Sequence, residues 1–171
     1  MSTRRAMAAI GSVVIALSIT GCGGANGDPS PSRDDEPLGL SDNATITYRF
    51  GDSSVPPEYH RSFEITVTID KVLVVVDSYG DVLADESVEL DSDVWEELQD
   101  TFESVQGLDV ERGDIGCTGG TSRSLLVEDG NEELVDLDID VCGGTNEDAA
   151  DAVEEWIEPV LQAVDIETLT E

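Results

Sequence analysis

A chain of 171 residues with 39 acidic and 8 basic side chains carries a formal net charge of −31 at pH 7. That charge excludes attraction to nucleic acid or to anionic lipid headgroups. A single histidine, His60, excludes His-rich metal sites, and the length fits one domain plus a tether.

The chain opens with Arg4 and Arg5 and no acid, followed by small and apolar residues from 6 to 20. A basic start and a short apolar run mark an export signal. The run falls short of the ~20 residues that span a bilayer as a helix, so a cleaved signal is expected over residues 1–21. Ile19-Thr20-Gly21-Cys22 resembles the lipobox of prokaryotic lipoproteins: an aliphatic residue, a small residue, Gly, then Cys. The resemblance implies that Cys22 becomes the first mature residue and carries acyl chains. Two chains give the two hydrophobic signals that stable anchoring needs. A plain secretory signal containing a cysteine is the bland alternative, and Thr3-Arg4-Arg5-Ala6-Met7 is a faint match to a twin-arginine export signal. The implied location is the extracytoplasmic face of the cell membrane, lipid-anchored. Loss of Arg4 and Arg5 would take the net charge to −33.

Residues 22–41 are rich in Gly, Pro, Ser and Asp and read as a tether. About 20 such residues have a mean reach of roughly 25 Å. Asn43-Ala44-Thr45 matches a glycosylation acceptor, a pattern common by chance.

Residues 42–171 read as one α+β domain. Ile46, Tyr48 and Phe50 alternate with polar residues, which predicts a strand over 44–50. Phe63, Ile65, Val67 and Ile69 alternate in the same way, with a tight turn expected at Asp70-Lys71. The β-branched run over 72–76 suggests a central strand covered on both faces, and residues 78–81, with Gly80, make the next turn. A weaker strand follows over 82–90. Together these predict a four-stranded antiparallel meander.

Asp91-Ser92-Asp93 offers helix-starting side chains, with Glu96 as a capping-box partner of Asp93. Val94, Leu98, Phe102 and Val105 recur at helical spacing, and Gly107 stops the helix. Strands over 122–127 and 132–141 then flank Asp129-Gly130-Asn131, a hairpin signal. Pairing Leu125 with Val135 and Arg123 with Leu137 sets the apolar residues on one face. Ser122, Ser124, Asp136, Asp138 and Asp140 share the other. A last helix is expected from Thr145 as N-cap, its stripe running from Ala149 to Val164, with Pro159 kinking or breaking it near 156–158. The helices are expected on one face of the sheet.

Three cysteines are present. With Cys22 acylated, Cys117 and Cys142 remain, and an even pair in an exported chain reads as a disulfide. The register above puts Cys117 opposite Gly143, so a bulge near Gly119-Gly120 or Gly143 would absorb the slip. The bond would clamp the hairpin's open end, closing a loop of ~25 residues worth about 3 kcal/mol in the chain-entropy account.

Site candidates are few. Tyr59, His60 and Arg61, after Pro56-Pro57, form the most distinctive string. They are read either as a recognition or proton-transfer cluster or as a rigid loop with His60 half exposed. Asp136, Asp138 and Asp140 lie in a row, but a calcium ion needs 6–8 converging oxygens, so a solvated acidic face is the simpler reading. Cys117-Thr118-Gly119-Gly120-Thr121 and Cys142-Gly143-Gly144-Thr145 look alike. Their glycines could offer N–H groups to an anion or serve only turns and caps. No nucleophile, zincin, P-loop or dinucleotide motif occurs, and no cofactor or catalytic residue is expected. The acidity, with Lys71 as the only lysine, resembles the surfaces of proteins from salt-loving microbes. The expected role is a non-catalytic binding module with a protein or cell-wall partner; the alternative is an envelope enzyme or inhibitor working through the 51–61 loop.

Overall fold

The computed structural model describes residues 39–111 and 119–171. The signal region, Cys22, most of the tether and Cys117 lie outside the described residues. The fold is α+β: one antiparallel sheet with the helices on one side. Six strands are paired in the order β4-β3-β2-β1-β5-β6. They are β1 (Ala44–Gly51), β2 (Ser62–Thr68), β3 (Lys71–Ser78), β4 (Asp81–Glu89), β5 (Thr121–Asp129) and β6 (Glu132–Val141). The sheet therefore does not stop at the meander's four strands. The hairpin of β5 and β6 continues it, with β5 pairing along the whole of β1.

Alternation makes the core. Ile46, Tyr48, Ile65, Val67, Val72, Val74, Val76, Leu125, Val127 and Ile139 all point to the helix side and are buried. The 72–76 run is not covered on both faces, because Leu73 and Val75 are exposed. A run of branched residues has the same appearance whether its second face is packed or bare, and here the helices among the described residues lie on the first face.

The turns correct the predicted ones in detail. Ile69 and Asp70 form the β2–β3 turn, since Thr68 pairs with Lys71. Tyr79 and Gly80 form the β3–β4 turn with φ of 53° and 91°, as a two-residue turn between right-twisted strands requires. In the β5–β6 hairpin, Leu125 faces Leu137, Arg123 faces Ile139 and Val127 faces Val135. This is two residues away from the expected register. A two-residue slip keeps every side chain on its face, so the apolar pattern cannot detect it. What fixes the register is a tight Gly130-Asn131 turn and a bulge beside Val127/Glu128.

Helix α1 (Ser92–Thr101) is capped by Asp91, whose carboxylate accepts from the Asp93 N–H. The expected partnership of Asp93 and Glu96 is replaced by this shorter cap. A 3₁₀ turn, Phe102–Val105, continues α1 before Gly107 turns the chain with φ of 68°. Helix α2 (Glu147–Ala163) starts one residue later than predicted, with Asn146 rather than Thr145 as N-cap and in the left-handed region. Asn146 gives its side chain to other segments: it donates to the carbonyls of Glu111 and Asp140 and accepts from the Glu111 N–H. Helix α2 also runs through Pro159 unbroken. Trp156, Ile157, Val160 and Leu161 are buried on both sides of the proline, so packing of the stripe holds the helix across the lost hydrogen bond. A final turn, α3 (Ile166–Leu169), closes the chain. Ahead of β1, Leu40 is buried and its carbonyl accepts from Gln99.

Candidate functional site

The Tyr59-His60-Arg61 string does not converge. Tyr59 is 69% exposed, while His60 is only 5% exposed rather than half exposed. The His60 ring stacks on Tyr79 with centroids 3.8 Å apart, and its Nε2 lies 3.4 Å from the Ser62 hydroxyl. Its Nδ1 is buried without a hydrogen-bond partner, and no carboxylate hydrogen-bonds the ring among the described residues. Arg61 donates to the His60 carbonyl at 2.8 Å. The surrounding loop is pinned. Asp52 accepts from the N–H groups of Ser53 and Arg61, and the Asp52 N–H donates to Ser62. Tyr79 donates to the Val55 carbonyl at 2.6 Å, and Ser78 to that of Pro57 at 2.8 Å. These contacts hold Tyr79 in its positive-φ conformation, a sparsely populated one for a bulky residue.

Asp136, Asp138 and Asp140 share the bare face of the sheet with Ser122, Ser124 and Leu126, and all three carboxylates are exposed. No group of three His, Cys, Asp or Glu side chains among the described residues is placed to hold a metal ion. The glycine loop ahead of α2 does not suit an anion. Gly143 and Gly144 have φ of 61° and 95°, as turns require, and the concavity there is lined by Asp109, Glu111, Glu147 and Asp148. Cys142 forms a bridge with Thr145 beyond the end of β6 and is partnered.

One cavity combines aromatic and acidic residues and is marked by no sequence motif. It is a groove of about 480 Å³ where the C-terminal half of α2 and α3 leave the sheet. Phe50 of β1 and Phe63 of β2 form its floor with Leu161 and Ile166, and Glu154, Glu158, Asp165 and Glu167 stand around it. The two rings stack with centroids 5.3 Å apart. Arg123 of β5 lies against two of the lining residues. Its guanidinium lies 4.4 Å over the Phe50 ring and meets Glu154 at 3.1 Å. The Arg123 side chain is 12% exposed against 43% for Glu154. Behind Phe63, with ring centroids 6.1 Å apart, sits Tyr48. Its hydroxyl is buried with no hydrogen-bond partner. Burial raises the Tyr48 pKa well above the phenolic range; the charge of Arg123 opposes this and that of Glu154 adds to it.

These residues come from β1, β2, β5, α2 and α3, with Phe50 and Glu167 117 positions apart, so spacing could not join them. The only available signal was Arg123, a cation on an otherwise apolar strand face. No family model matches the chain, and no curated protein matches it either.

Proposed function

We propose that the chain is a lipoprotein on the extracytoplasmic face of the membrane, anchored through acyl chains on Cys22 and acting as a non-catalytic binding module. The anchor rests on the lipobox resemblance, and the binding role rests on the groove over Phe50 and Phe63. Ligand sites are concave, with apolar surface beside placed polar groups, and the groove joins Phe50, Phe63, Leu161 and Ile166 to Gln162 and four carboxylates. The partner would be a protein or a wall component. We also attribute to the domain a Cys117–Cys142 disulfide at the open end of the hairpin. Its support is that Cys142 is partnered and that an even pair of cysteines in an exported chain reads as a disulfide.

Three measurements test these statements. Cys22→Ser should move the protein from the detergent phase to the aqueous phase; unchanged partition removes the anchor. Cys117→Ala should lower the melting temperature as much as the Cys117/Cys142 double variant does, whereas an additive loss argues against a shared bond. Hydrogen exchange of the full-length protein, with and without isolated cell envelopes, should show protection over residues 154–167. Protection over 51–61 instead would favour the second reading, an enzyme or inhibitor acting through that loop. Its motivation is the pinned loop that displays Tyr59.

A further inference from the structure

Beside the groove the protein supplies a cation of its own, held by Phe50 and Glu154, two residues that line it. Arg123 lies flat on an aromatic face and is neutralised by a carboxylate, the arrangement by which aromatic and acidic groups together recognise a guanidinium. The remainder of the groove repeats the same parts without the cation. Phe63 continues the aromatic floor, and Glu158, Asp165 and Glu167 line the wall. Among the described residues the ion pairs are those of Arg49 and Arg123, so none of these three carboxylates has a basic partner. Glu158 accepts only from the neutral amide of Gln162. Leu161 and Ile166 add apolar surface, which suits the methylene stem of a long basic side chain or its apolar neighbours. A bare ammonium or metal ion would leave that surface unused. An anion would meet four carboxylates against one guanidinium that is already paired.

We infer that the groove binds a basic segment of a partner protein, inserting an arginine or lysine side chain between Phe63 and the carboxylates of Glu158, Asp165 and Glu167. This rests on the binding-module reading and names the ligand class for the same site. Charge complementarity selects a basic protein segment as occupant: a neutral glycan gains nothing from the wall, and a second copy of this acidic chain is repelled by it.

The test uses full-length protein in a non-ionic detergent, at salt high enough to screen the general acidity of the surface. The probes are acetyl-Leu-Arg-Leu-amide, its lysine counterpart and its citrulline counterpart, which keeps the shape and loses the charge. The arginine and lysine peptides should bind, with the citrulline peptide about tenfold or more weaker. Glu158→Gln combined with Glu167→Gln should weaken the arginine peptide about tenfold. Asp136→Asn with Asp138→Asn, on the opposite face, should change nothing. Equal binding of the arginine and citrulline peptides, with both lost in a Phe63→Ala variant of unchanged fold, would overturn the cation but keep the groove. Binding that responds to Asp136 and Asp138 as much as to Glu158 and Glu167, or no binding by any peptide, would overturn the inference. If exchange protection by cell envelopes also bypasses residues 154–167, the groove reading fails with it.

Discussion

At the scale of single residues, the Tyr48 hydroxyl is the clearest anomaly in the domain. It is a polar group inside the core with no hydrogen-bond partner, and burial holds its proton more tightly than in the unfolded chain, where the pKa is about 10. A raised pKa in the folded state means the stabilisation is fully present below pH 10 and is lost as pH rises beyond it. Tyr48→Phe removes the unpaired group without opening a cavity. It should leave neutral-pH stability unchanged or raise it by about 1 kcal/mol, and flatten the decline in melting temperature above pH 10. A wild-type decline that survives the substitution would place the alkaline sensitivity elsewhere. Tyr48 was legible as a core residue from its place between Ile46 and Phe50. Its missing partner was not, because that depends on what β2, β5 and α2 bring around the ring. His60 was misjudged for the same reason. Its sequence neighbours are polar and proline-rich, yet Tyr79, nineteen positions on, folds over it.

At the scale of elements, α2 does most to assemble the molecule. Its Trp156 donates an indole N–H to the Leu98 carbonyl at 3.1 Å and packs on Phe102 at 5.7 Å. The Leu98 carbonyl belongs to the last turn of α1, where helix carbonyls need outside partners, and the Phe102 N–H goes to Gln99 instead, so the indole ties α2 to the end of α1. Trp156→Phe should cost about 1–3 kcal/mol by leaving that carbonyl buried and unpaired, a fall of several degrees in a domain of this size. A melting curve that does not move would show that water replaces the indole. Pro159 is the opposite case. It sits inside α2, removes a backbone hydrogen bond, and has no strand or loop to excuse it. Pro159→Ala should raise the melting temperature by several degrees, since a central proline costs about 3 kcal/mol relative to alanine. A lower value would mean that the proline sets the position of Leu161 and Ile166 beside the groove. The amphipathic stripes and strand alternations were readable because burial on one face imposes period 3.6 or 2. The continuity of α2 was not, because packing energy outweighed a local rule.

For the whole molecule, the charge dominates. Carboxylates stand on the bare sheet face, around the groove and along both major helices, with ion pairs among the described residues only at Arg49 and Arg123. Mutual repulsion should destabilise the compact state at low ionic strength, and salt should relieve it within a Debye length of about 8–10 Å. Melting temperature should therefore rise with KCl and NaCl alike. Calcium chloride at matched ionic strength should add nothing, since Asp136, Asp138 and Asp140 line up without converging. Extra stabilisation by calcium would mean that they gather around an ion after all.

Local periodicity and turn chemistry were enough to read the α+β class, the strands and helices in order, and which face of each is apolar. The lipobox resemblance is likewise a local pattern, and the partition experiment tests what it implies. Contacts between distant segments join the hairpin to β1, leave one sheet face without a helix among the described residues, and enclose His60. They also bring Phe50, Phe63, Arg123, Glu154 and Glu158 together. Each of these is fixed by the total area buried and by register, quantities that no short stretch of chain carries.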